Sequence, residues 1–204
     1  MQAKDWSGAA ATAQKLVDLS GTARNLRELA DALLNDGSAR RDSDTITESL
    51  SSYDFALEAA EKEKPTQGQP DSDWKDNLAK VYIGKGNALL KLHRNAEAVE
   101  AYNHSAEFAA NPGLAYFNIC AVLYNSGNTT DSPAACRKCL QADPGRADAW
   151  FILGSVLFAN SPIDPKGNME LSAETRQALS RYLELAPDGP HAADVKAMLQ
   201  MAGK

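Results

Sequence analysis

The feature that most constrains this chain is a repeat, since the same chemistry returns every 34 residues. Trp150 maps back to Tyr116 and then Tyr82, Gly154 to Cys120 and Gly86, and Leu157 to Leu123 and Leu89. A fixed period of this length is the signature of a helical hairpin array, in which no unit can bury its apolar face alone and each does so against its neighbours. The seam between units is visible from Asp143 to Leu157. There Pro144-Gly145 closes one helix, and Trp150, Leu153, Gly154 and Leu157 open the next at helical spacing.

Read in order, residues 1–20 carry Trp6, an alanine run, Leu16 and Leu19, which predicts a helix stopped by Gly21 and placed like the second half of a hairpin. Thr22 caps a second helix with Leu26, Leu29, Ala30, Leu33 and Leu34 on one face, ended by Asp36-Gly37 and followed by a polar loop. Thr45 and Glu48 fit a capping box opening a third helix through Leu50, Tyr53 and Leu57. The predicted organisation is therefore a half-hairpin plus one divergent hairpin over 1–62 and a linker over 63–73. Three regular hairpins follow within 74–187, at 79–112, 113–146 and 147–187, with a capping helix within 188–204. The last hairpin holds a long loop at 160–171, and Pro133 stands at the first position of a helix.

These residues resemble the tetratricopeptide repeat family, whose pattern runs Trp, Leu, Gly, Tyr in the first helix and Ala, aromatic, Ala, Pro in the second. Trp150, Leu153, Gly154 and Leu157 match in the third repeat, and Tyr82, Gly86, Leu89, Ala98 and Tyr102 in the first. The middle repeat offers Tyr116, Ile119, Cys120 and Leu123, then Cys136, Cys139, Leu140 and Pro144. Lys85 departs from the pattern at a usual leucine, and two extra residues precede Pro112. The resemblance implies an all-α, right-handed solenoid of helical hairpins with a C-terminal capping helix. It also implies that first helices line a concave groove holding a segment of another protein.

Counting positions on those helices gives candidate groove residues: Ile83, Asn87 and Leu90; then Phe117, Ala121 and Tyr124; then Phe151, Ser155 and Phe158. The last two trios leave their helices apolar nearly all round, more than a two-layer stack needs. The second stripe must be covered, either by an apolar or amphipathic segment of a partner or by this chain's own 160–171 loop, terminal helix or second copy. Arg24, Arg27 and Asp31 fall on the corresponding stripe nearer the start, as a polar groove end or a solvated face. A clamp for a chaperone's C-terminal carboxylate, a known use of the family, keeps only Asn87 and Asn118 here. Ile83, Asp148 and Ile152 stand where its cations belong, and Asp148 would repel a carboxylate.

Charge and motifs narrow the function. With 21 Lys plus Arg against 27 Asp plus Glu and a net charge of −6, no footprint for nucleic acid exists. No apolar run is long enough to insert in a membrane, and the chain reads as soluble, leaning to the cytoplasm, with the periplasm or secretion left open should it be a fragment. Three cysteines are an odd number and too few for a disulfide framework, so a reducing compartment or simple burial is expected of them. Cys136 and Cys139, with Cys120 on the partner helix, form a possible thiolate metal or redox cluster, weighed against plain core positions. Gly84-Lys85-Gly86 is not a phosphate loop, and no nucleophile, metal-hydrolase or calcium motif is present. The expectation is a non-enzymatic scaffold without a cofactor, binding another protein, with self-association as the alternative.

Overall fold

The computed structural model describes residues 5–165 and 169–201. The ends of the predicted first helix and of the capping segment, and three residues of the 160–171 loop, lie outside them. Every regular element among the described residues is an α-helix, and Ile163 and Met169 make one isolated bridge in the loop. The helices fall into two units, residues 1–110 and 111–204. The first holds α1 (Trp6–Leu19), α2 (Ala23–Arg40), α3 (Ser43–Lys62), α4 (Ser72–Lys91) and α5 (Asn95–Phe108). The second holds α6 (Gly113–Asn125), α7 (Ser132–Ala142), α8 (Ala147–Ala159), α9 (Ala173–Leu185) and α10 (Ala192–Met201).

Within the first unit α1 packs on α2, α2 pairs with α3 and also touches α4, α3 touches α4, and α4 pairs with α5. In the second, α6 pairs with α7 and touches α8, α7 touches α8, α8 pairs with α9, and α10 rests on α9 and α8. The rule is the same in both: the first helix of a hairpin lies in the V formed by its own second helix and the next first helix. Apolar residues at helical spacing drive this. Ala10 and Ala13 meet Leu29, Ala32 and Leu33 between α1 and α2, and Ala23, Ala60 and Leu78 form another buried cluster with Trp74 and Tyr82 against it.

Two boundaries differ from the sequence reading for a physical reason. Helix α2 does not stop at Asp36-Gly37 but runs to Arg40, with Gly37 buried inside it. A Cβ at Gly37 would come within 2.9 Å of the Ile46 backbone nitrogen, so that glycine serves a close approach to α3. The stop is Arg41 in the left-handed region at φ 56°, after which the Asp42 N–H returns to the Gly37 carbonyl at 2.8 Å. Helix α3 then starts two residues before the expected capping box. Its cap is Asp42, whose carboxylate accepts from the Asp44 and Thr45 N–H groups and from the Thr45 hydroxyl at 2.7 Å; that hydroxyl first, then the backbone bonds, hold it below the usual carboxylate range. The Thr22 cap, accepting from Asn25 N–H, and proline at the start of α7 match expectation.

The crossing point of each regular hairpin is built differently. At Gly86 an added Cβ would lie 2.5 Å from the Tyr102 ring, and at Gly154 it would lie 2.7 Å from Leu179. In the middle hairpin the same two repeat positions are Cys120 and Cys136, both fully buried and joined by a disulfide across a Cα–Cα distance of 4.9 Å. The two cysteines are buried as expected but are bonded to each other, which corrects the expectation of no disulfide and of thiols kept reduced or merely buried, and removes two sulfurs from the supposed metal or redox cluster. Cys139 remains a free, buried thiol whose pKa is pushed up to about 11 by burial, which makes it a poor nucleophile.

Candidate interaction surface

The nine groove candidates fall on both units, three on α4 in the first and six on α6 and α8 in the second. On α4, Ile83 and Asn87 are partly buried and Leu90 is 38 % exposed. Asn87 is tied down from within, because its Oδ1 accepts the Tyr102 hydroxyl at 2.7 Å. Lys85, the departure from the repeat pattern, reaches back to Asp54 on α3 at 2.6 Å.

Two of the polar candidates of the first unit, Arg27 and Asp31, belong to a bonded network. Arg27 donates to Asp31 at 2.7 Å and to Asn77 Oδ1 on α4 at 3.0 Å, and Tyr53 on α3 donates to the other Asp31 oxygen at 2.6 Å. Burial holds Asp31 above the usual carboxylate range, while Tyr53 and Arg27 pull it back. Burial and the Asp31 carboxylate raise the Tyr53 hydroxyl far above its ordinary value, so it stays a donor. Arg27 is therefore engaged internally. Arg24 is exposed beside Asp73, Asp76 and Lys80 in a polar depression.

On the second unit the two helices diverge. Phe151 and Phe158 of α8 pack into a cluster with Leu171, Tyr182, Ala192 and Val195, so the 171 end of the loop and α10 cover them. His191, just before α10, stacks on Phe151 with ring centroids 3.7 Å apart. Here the chain supplies its own cover, one of the two arrangements the sequence left open. The α6 stripe has no such helix over it among the described residues, and its first residue is exposed. Phe117, Ala121 and Tyr124 are partly buried, Leu114 one turn earlier is 48 % exposed, and the Arg146 guanidinium sits over the Phe117 ring at 5.1 Å. Asp143 holds that guanidinium in place at 2.8 Å.

Between the aromatic rings of α8 lies Ser155, buried, with an Oγ that makes no hydrogen bond to the protein. A buried hydroxyl without a partner is uncommon and costs stability. Sequence reasoning placed Ser155 on the stripe but could not see that its hydroxyl is unanswered. It missed His191 altogether, because that residue follows the last repeat and no periodicity points to it. Among the described residues no cluster of three or more His, Cys, Asp or Glu side chains could hold a metal ion, and no helix is long and apolar enough to cross a membrane.

No protein-family model matches the sequence, and no curated protein is similar to it. Solved structures are similar in fold. One is YrrB, described as a TPR protein with an unusual peptide-binding site, at a TM-score of 0.61 and 18 % identity, covering 95 % of this chain and 84 % of that one. Another is residues 41 to the end of MamA from Desulfovibrio magneticus RS-1, at a TM-score of 0.58 and 14 % identity, covering 87 % of this chain and 88 % of that one. With the 34-residue period and the packing of first helices into the V of the next pair, these likenesses make the fold that of tetratricopeptide-type helical hairpins.

Proposed function

We propose that the chain is a protein-interaction scaffold that carries out no chemistry of its own, and that its second unit takes an apolar or amphipathic segment of another protein along α6. The observation that carries this reading is the half-open stripe of Leu114, Phe117, Ala121 and Tyr124 beside α8, whose own aromatic stripe the chain already covers. A partly exposed apolar stripe on a helix is the kind of surface that an amphipathic segment covers. Arg146, over the Phe117 ring, supports it by offering a cation at the rim. The peptide site described for YrrB, a protein of similar fold, favours the same class of partner.

The test is substitution at the open stripe. Phe117→Ser is expected to leave the helical signal and melting behaviour near wild type while abolishing retention of amphipathic peptides from an immobilised library. Phe151→Ser, by contrast, is expected to destabilise the second unit, since Phe151 packs on Tyr182 and His191. If Phe117→Ser unfolds the unit, or peptides are retained unchanged, the reading fails.

A further inference from the structure

We infer that the Cys120–Cys136 disulfide is a redox control on the α6 stripe: with the bond closed the second unit holds its guest, and with the bond reduced it releases it. This regulation rests on the α6 stripe being the binding surface proposed above. The bond lies on the stripe's own helix. Cys120 stands on α6 between Phe117 and Tyr124 and next to Ala121, and Cys136 stands on α7, so the sulfurs fasten the stripe to the helix behind it.

Less else holds this pair of helices than holds its neighbours. Each flanking regular hairpin buries a tyrosine from its second helix, Tyr102 of α5 and Tyr182 of α9. Helix α7 is shorter, at 11 residues, and carries no aromatic side chain; it buries Leu140 together with serine, proline, alanine and cysteine. Apolar area removed from water closes a helical hairpin, so where that area is small a larger share of the closure falls to the covalent bond.

Reduction therefore acts on the stripe. Both cysteines are fully buried, and the Ser132 hydroxyl already lies 3.7 Å from the Cys136 sulfur. Two thiols need more room than the disulfide they replace, and a packed crossing point with a Cα–Cα distance of 4.9 Å gives it only if α6 shifts against α7. Phe117, Ala121 and Tyr124 shift with their helix. The reductant is a dithiol: one of its thiolates attacks a cysteine sulfur, the Cys120–Cys136 bond breaks, and a mixed disulfide forms. Its second sulfur then displaces the chain, so the protein gains two electrons and two protons as two thiols and the reductant leaves as a disulfide. Cys139, buried and with its pKa pushed up to about 11, stays protonated and does not take over the bond. Because linkage is reciprocal, a guest that prefers the oxidised protein makes the bond harder to reduce by the same factor.

The probe is a fluorescent amphipathic helical peptide with leucines along one face, followed by anisotropy before and after dithiothreitol. Reduction is expected to weaken binding by about tenfold or more, and saturating peptide to shift the oxidised-to-reduced ratio in a dithiol buffer, read by alkylation and mass spectrometry, by the same factor. Amide exchange should quicken in α6 and α7 on reduction while α8 and α9 keep their protection. Cys120→Gly with Cys136→Tyr, closed by packing as the α4–α5 hairpin is, should bind equally with and without dithiol, and Cys139→Ala should respond as wild type does. If the oxidised protein binds, Phe117→Ser abolishes that binding and reduction leaves the affinity unchanged, the redox control falls and the α6 surface stands. No binding to the oxidised protein removes both. Lost protection in α8 and α9 on reduction also overturns the control, since the unit is then unfolding; should the double variant not fold, the wild-type comparison decides alone.

Discussion

The α4–α5 hairpin and the α6–α7 hairpin each bring the same pair of repeat positions together and hold them in opposite ways. In the first, Gly86 leaves room for the Tyr102 ring, and the Tyr102 hydroxyl, its pKa raised to about 12 by burial, donates to Asn87 across the hairpin. In the second, Cys120 and Cys136 replace glycine and ring with a covalent bond, and Ser132 adds a hydroxyl that donates to the Cys120 carbonyl at 3.2 Å. The difference teaches that this fold needs a contact at the crossing point but not a particular chemistry. One hairpin is closed by packing, which solution conditions hardly touch, and the other by a bond that answers to reductant.

The sharpest way to break the comparison is Tyr102→Ala. Emptying a fully buried aromatic site costs about 3–5 kcal/mol, and the loss should appear as faster amide exchange in α4 and α5, with α6 and α7 unaffected. Next comes the disulfide. Its two ends are 16 residues apart, and a loop of that size constrains the unfolded chain by about 3 kcal/mol. Unfolding in denaturant with and without a phosphine reductant should therefore show a lower midpoint for the second unit only. The double variant Cys120→Gly with Cys136→Tyr imports the neighbour's solution and should fold and become indifferent to reductant. Should it fail to fold, the two hairpins are not interchangeable at this point.

Gly86→Ala is a smaller, signed test. Alanine gains about 1 kcal/mol of helix propensity over glycine. Its Cβ, however, meets ring atoms of a tyrosine fixed at both ends, and overpacking of that kind costs about 1–3 kcal/mol. The net expectation is a modest destabilisation, read as a lower midpoint in chemical unfolding. A gain in stability would mean that the ring slides aside freely and that the close approach is not the reason for glycine.

Much of this was legible in the sequence, and what was not has identifiable causes. The 34-residue period placed the regular hairpins, and local chemistry placed the Thr22 cap and the proline opening α7, because these depend on residues near in sequence. Gly37 was misread as a stop because the atom that demands a glycine there, the Ile46 nitrogen, belongs to the next helix. The disulfide escaped notice because an odd cysteine count argues against one. Yet a signal was present: Cys120 and Cys136 fall on the repeat positions of Gly86 and Tyr102, which touch. His191 over Phe151 lies where the period ends, and there only coordinates could reveal it.

The smallest expected effect sharpens the same contrast. Arg137 on α7 donates two hydrogen bonds to Glu174 on α9, at 2.6 and 2.9 Å, so the middle hairpin is tied to its neighbour by charge as well as by sulfur to itself. The guanidinium holds the Glu174 carboxyl below the usual range. A depressed folded-state pKa contributes stability that is present above the ordinary carboxylate value and is lost as pH falls through the lowered one. Both side chains are more than 40 % exposed, so the contribution is no more than about 1 kcal/mol and is screened by salt. Glu174→Gln should therefore lower the second unit's unfolding midpoint slightly at neutral pH and low salt. The gap from wild type should close in acid and in high salt, while the reductant effect persists in both; if the two effects fade together, covalent and ionic ties are not separable in this hairpin.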